Sequence, residues 1–179
     1  MIFALAGRRI DLPEAGAARF PLRNVDLVRC RLRALFAPHR GATLICSAAC
    51  GADLLALETA GALGWRRLVI LPFDRDRFRE TSVTDRPGDW GGLYDQIVDQ
   101  AMRSGGLRIG SSPAVERAFD SAAGLILDEA ARLAAGGGEG PTAVVVWDGR
   151  EHPPGDFTKR FADAAQARGM KVLQVSTLE

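Results

Sequence analysis

The chain is short of net charge, of cysteine and histidine, and of long apolar runs, and each shortage removes a class of function. Twenty-three Lys and Arg stand against 22 Asp and Glu, a formal charge of +1. A duplex nucleic-acid binder needs an excess of cations to neutralise many phosphates, so no duplex nucleic acid is expected as a partner. No membrane is expected either, because the balance offers nothing to an anionic surface. The opening MIFALAGRRI holds a six-residue apolar run followed by two arginines. A spanning helix needs about 20 apolar residues, and a secretory leader puts its positive charge first. Cys30, Cys46 and Cys50 are odd in number and too few for a disulfide framework, which makes a reducing cytoplasm the expected location. The two histidines, His39 and His152, have no metal-ligand spacing with these cysteines, so no metal site and no bound cofactor are expected.

What is present is an alternation of strand and helix patterns over 179 residues, a length that suits one domain spanning 1–179. Strands are expected at 2–7, 43–46, 67–71, 107–109, 142–147 and 172–175, the fifth being continuously apolar and β-branched, as a central parallel strand should be. Helices are expected at 23–37 and 51–63, from Asp89 as a cap, from Ser112 and Pro113 as cap and first turn, and over 156–168 with Phe157 and Phe161 inward. Phe73 to Gly88 reads as a long polar loop. The order implies a single Rossmann-like three-layer α/β domain with a mostly parallel sheet, whose ligands bind beyond the carboxyl ends of the strands.

Four segments leave such strand ends. In the first, Gly7 lets backbone approach a ligand and Arg8 can pair with phosphate oxygens; the alternative is that Arg8 and Arg9 are solvated. The second, Ser47 to Asp53, runs into a helix whose amides and dipole favour an anion at Ser47 and Gly51. It is neither a Gly-Lys-Ser/Thr loop nor a Gly-x-Gly-x-x-Gly turn. Asp53 either caps this helix or accepts a ribose hydroxyl. Cys50 sits where a helix amino end lowers a thiol pKa; it reads as a packing residue because His39 lies at the far end of the first helix, with His152, in another ligand-edge loop, as the remaining base for a catalytic alternative. The third, residues 73–90, interleaves arginines, aspartates and aromatics; it is either a solvated, self-paired loop or a ligand lid in which Arg79 and Arg86 are the candidates to clamp a phosphate. Asp85 and Asp89 there are surface aspartates or partners of a phosphate-bound magnesium. In the fourth, Gly155, Asp156 and Thr158 open a helix and suit a phosphate, against the plain reading of Asp156 as its cap.

Taken in order, Ala6-Gly7-Arg8, Ser47 to Asp53 with Leu54-Leu55-Ala56, and Gly155-Asp156-Phe157-Thr158 resemble motifs of the SLOG superfamily. That superfamily holds the LOG nucleotide phosphoribohydrolases, the DNA-processing DprA proteins and many nucleotide-sensing domains. The resemblance implies a nucleotide or nucleotide-derived phosphate ligand, bound by a sensing domain. The alternative is a LOG-like hydrolase cleaving the N-glycosidic bond of a nucleoside monophosphate. LOG hydrolases carry a catalytic glutamate three residues after the late threonine; here that position is Phe161. Hydrolysis would need another carboxylate, Asp53, Glu58 or Asp148. A DprA-like single-strand binder is disfavoured by the near-neutral charge. Several helices are apolar on more than one side, so a homodimer through residues 107–134 is a further expectation.

Overall fold

The computed structural model describes residues 1–110, 115–137 and 139–179. Six strands form one parallel sheet: β1 (Ile2–Gly7), β2 (Thr43–Cys46), β3 (Arg66–Leu71), β4 (Leu107–Ile109), β5 (Thr142–Trp147) and β6 (Lys171–Ser176), in the order β4-β3-β2-β1-β5-β6. The helices are α1 (Val25–Phe36), α2 (Ala52–Ala62), α3 (Arg75–Ser82), α4 (Gly91–Arg103), α5 (Val115–Ala134) and α6 (Phe157–Ala167). The fold is the Rossmann-like α/β domain expected from the alternation.

Period-two alternation sorts each strand between two cores. Phe3, Leu5, Leu44, Cys46, Val69, Leu71, Val144 and Val146 pack with α1, α2 and α4 on one face. Ala4, Ile45, Leu68, Ile70, Ala143, Val145 and Trp147 pack with α5 and α6 on the other. β5 is buried along its whole length.

The first four strands step outward from β1 in one direction. After β4 the chain returns through α5 and places β5 on the opposite side of β1. The carboxyl ends of β1 and β5 therefore lie side by side at the point where the winding reverses, and a crevice opens there. Gly7 closes β1 at this point. A Cβ on it would sit 2.4 Å from the Ala52 Cβ and 2.7 Å from the Val146 carbonyl oxygen, so only glycine lets α2 start this close to the sheet.

Three expectations need correction. Residues 73–88 are not a continuous loop: Asp74 accepts from the Arg77 amide at 2.9 Å and caps α3, which buries Phe78 and Ser82, four apart, on one side. The alternating charges masked that short apolar face. Asp89 does not cap α4, which begins after Trp90 without a side-chain cap bond. Phe157 is not inward; it is 46% exposed, with the Arg160 guanidinium 4.4 Å from its ring centre. The Ser112–Pro113 start expected for the long helix lies outside the described residues.

The close approach at Gly7 makes a sharp contrast with Gly92, which has open space around its would-be Cβ. Gly7→Ala is expected to lose about 3 kcal/mol, read as a lower urea midpoint at unchanged slope. Gly92→Ala should be neutral or slightly stabilising.

Candidate functional site

A cavity of about 670 Å³ occupies the crevice at the β1 and β5 ends. One wall is polar and comes from the segment after β1, the β2–α2 loop, α3 and the β5–α6 loop. The other wall is apolar and comes from Phe73, Phe119, Ala122, Ile126, Phe157 and Phe161. The Phe73 and Phe119 rings meet edge to face at 5.6 Å, and Phe119 lies 5.6 Å from Phe157. A ring entering here finds aromatic neighbours at ordinary packing distance.

Arg8 lines this cavity, and its guanidinium is committed to protein groups. It is 9% exposed, donates to both oxygens of Asp156 at 2.7 Å, to Asp148 Oδ1 at 3.0 Å, and to the Arg150 carbonyl at 2.7 Å. Asp156 does more than cap α6: its carboxylate accepts from the Lys159 amide at 3.1 Å and from the His152 amide at 2.9 Å. Burial acts to raise the Asp156 pKa. The Arg8 bonds and these two amides outweigh burial and hold it down to about 2. Asp148 is lowered too, with burial again outweighed, here by His152 and Arg8.

The β2–α2 loop departs from the expected anion cradle in one respect. Its amides are largely taken: Cys50 N donates to the Ser82 carbonyl at 3.0 Å, Ala52 N to Arg8 at 3.1 Å, and Leu54 N to Ala49 at 3.3 Å. Gly51, at φ +90°, lies against the Arg8–Ile10 backbone rather than on the cavity wall. Ser47 lines the cavity while its hydroxyl donates to the Ile70 carbonyl at 2.9 Å. Cys50 is buried, and burial pushes its thiol up to about 11, opposite to the lowering a helix amino end alone would give.

Asp53 is the anomaly. It lines the cavity at 6% exposure, and its Oδ2 accepts only the Ala49 amide, at 3.3 Å. Its Oδ1 is buried with no hydrogen-bond partner among the described residues. Such orphans are rare because desolvation without a partner costs about 1–3 kcal/mol. Burial pushes the carboxyl up to about 7, against opposing help from the Ala49 amide and Arg9. It does not cap α2, whose first turn has no side-chain cap bond.

The mouth is basic. Arg9 bonds Asp85 at 2.8 Å and the Thr81 carbonyl at 3.0 Å; Arg86 reaches the Ile10 carbonyl at 3.2 Å and Asp85 at 3.4 Å. Arg77 lies over Phe73, 4.8 Å from its centre. Arg19 and Arg77 line the cavity without a carboxylate partner among the described residues. Arg79, by contrast, turns away to Asp95 at 3.1 Å and is not part of the wall.

Of the residues expected at the site, Gly7, Arg8, Ser47, Asp53, Arg86, Gly155, Asp156 and Thr158 share this cavity, whereas Gly51 and Arg79 do not line it. Sequence reasoning missed Arg77, Arg19 and the phenylalanine wall. Arg77 was readable only by treating 74–82 as a capped helix, which sets 77, 78, 81 and 82 on one side. His152 was legible only by its place in the loop after β5, and it does line the cavity. Among the described residues no cluster of His, Cys, Asp and Glu is placed to hold a metal ion, and no helix is long and apolar enough to cross a membrane. Neither a family model, nor a curated protein, nor a solved structure matches the chain.

Two outcomes follow from these environments. Arg8→Met strands two buried carboxylates and is expected to cost on the order of 3–5 kcal/mol, measured by chemical denaturation. The Asp156 contribution is present above the unfolded pKa near ~4 and is lost as pH falls toward 2, so the acid-unfolding limb of Arg8→Met should move to higher pH. Asp53 acts with the opposite sign. Between about pH 4 and 7 the unfolded chain releases its proton and the folded chain keeps it, so stability falls as pH rises. Asp53→Asn should therefore be more stable than wild type at pH 8, with the gap closing toward pH 4, read from melting curves.

Proposed function

We propose that this cavity binds a small nucleotide-type ligand, in keeping with the resemblance to SLOG nucleotide-sensing domains. The observation that carries the reading is the wall itself: a basic mouth and an aromatic interior meet around a buried carboxyl, one of whose oxygens has no hydrogen-bond partner among the described residues. Phosphate groups are met by Arg9, Arg19, Arg77 and Arg86 at the mouth. The amino end of α6 adds to them, since the Asp156 cap takes the Lys159 amide and leaves Gly155 and Thr158 facing the cavity. The planar ring packs among Phe119, Phe157 and Phe161. Asp53 takes a hydrogen bond from the sugar–base portion, which relieves its orphaned oxygen. Arg8 serves this reading indirectly, by fixing the loop that presents α6. The volume lies within the range of small-molecule sites, about 300–1,000 Å³, and the reversal of the winding is where open α/β sheets collect ligands.

Melting curves with AMP, GMP, CMP, UMP, ribose 5-phosphate and inorganic phosphate test this. At 100 times its dissociation constant, a nucleoside phosphate should add about 2.7 kcal/mol to the folded state, with phosphate alone adding much less. Arg77→Ala should weaken that ligand about tenfold, ~1.4 kcal/mol. Arg79→Ala, whose guanidinium faces Asp95, should leave its affinity unchanged. The absence of any nucleotide-dependent shift would sink the reading.

A further inference from the structure

The opposite edge of the sheet, where β3 and β4 begin, carries a second and smaller cavity. It has a volume of about 270 Å³ and lies between the start of β3 and the last two turns of α4. Arg67 supplies its half-buried charge; Arg66 also lines it but is exposed. The Arg67 guanidinium is held in place, with Nη1 donating to the Leu57 carbonyl at 3.3 Å and Nη2 to Gln100 Oε1 at 2.6 Å. It lies over α2 at Gly61, where a Cβ would meet Nη1 at 2.6 Å. Both acceptors are neutral, and no carboxylate among the described residues pairs with Arg67. Of a guanidinium's five N–H donors, two are used among these residues. Arg8 makes the contrast. Burial lowers the pKa of both side chains; at Arg8 the carboxylates of Asp156 and Asp148 outweigh it, whereas at Arg67 burial prevails. Desolvated charges in proteins are ordinarily paired, and here the protein supplies no partner.

We propose that this second cavity binds a small organic acid, with its carboxylate on Arg67 and a short hydrocarbon body against Trp65, Ile97 and Ala101. The surroundings select that anion. Gly61 and Gln100 stand in the last turns of α2 and α4, and a helix carboxyl end carries about half a negative charge. That field opposes a phosphate dianion more than a singly charged group, and Arg67 is the cavity's one half-buried cation among the described residues. A planar carboxylate matches one edge of one guanidinium. Beside the charge, Trp65, Leu68, Ile97 and Ala101 give the wall an apolar side, and the Trp65 ring is fixed by stacking on Phe3 at 5.3 Å. The volume falls just below the range of about 300–1,000 Å³ usual for drug-sized ligands, so the body has only a few carbon atoms. Gln100 is a positioning residue that acts by holding Arg67. The site is independent of the nucleotide-type reading, because none of its lining residues belongs to the cavity at the β1 and β5 ends.

The test titrates the full chain with butyrate, isovalerate, butyramide and inorganic phosphate at matched ionic strength. Melting curves are recorded together with the nitrogen-15 correlations of the Arg67 Nε–H and the Trp65 indole N–H, the former identified by its loss in Arg67→Gln. Butyrate or isovalerate should move both signals to saturation at millimolar concentration and raise the melting temperature. Butyramide, of the same shape without the charge, should do neither, and phosphate should bind at least tenfold more weakly. Arg67→Gln should weaken the acid at least tenfold. Gly61→Ala should weaken it as well, by displacing the guanidinium, while its better helix propensity keeps α2 formed, so that loss of binding there is not loss of fold. Arg77→Ala, in the other cavity, should leave the acid's affinity unchanged. No saturable response to either acid, an equal response to butyramide, or a response that survives in Arg67→Gln overturns the site. Phosphate binding as tightly as the acids overturns the choice of a carboxylate.

Discussion

Arg8 joins the end of β1 to the loop that follows β5, and the geometry of the site depends on that join. One guanidinium holds Asp148, Asp156 and the Arg150 carbonyl, and through those two carboxylates it reaches the cap of α6 and both ends of His152. A planar cation with divergent donors can make these bonds at once; a lysine ammonium cannot reproduce the bidentate pair with Asp156. The residue that a sequence reader assigns to the ligand is thus an internal strut, and the other arginines of the cavity, Arg9, Arg19, Arg77 and Arg86, stand farther out at its mouth.

The same crevice treats its carboxyls in contrary ways. Asp148 and Asp156 are buried, but each is surrounded by donors, so ionisation is the lower-energy state. Asp53 lies deeper than either and has a single amide for company, so desolvation wins and the proton stays on near neutral pH. A fold gains nothing in stability from an orphaned carboxyl oxygen. A desolvated carboxyl in a cavity wall is the kind of group on which a functional-site reading is built.

Much of the fold was legible along the chain because strands and helices are local periodicities. β1, β2, β4 and β5 have the bounds read from their apolar runs, and β3 and β6 are one or two residues longer. α3 was obscured because its buried face is only Phe78 and Ser82 among charged neighbours, too weak a stripe to register as helix. The site was legible as a place and less so as a set of roles. Gly7, Ser47 and Gly155, picked out as small residues after strands, line the cavity, yet Arg79 and Arg86, equivalent by composition, separate toward Asp95 and toward the cavity.

By itself the sequence determined the class of fold, the strands to within a residue at each end and the sheet edge where the cavity opens, since those follow from hydrophobic period and chain order. Tertiary structure alone decided which polar groups are already paired. Arg8 and Asp156 lie 148 positions apart, and one oxygen of Asp53 is left without a partner among the described residues by what surrounds it in space. Pairing and desolvation are set by distance in space, and no one-dimensional pattern encodes them at such separations.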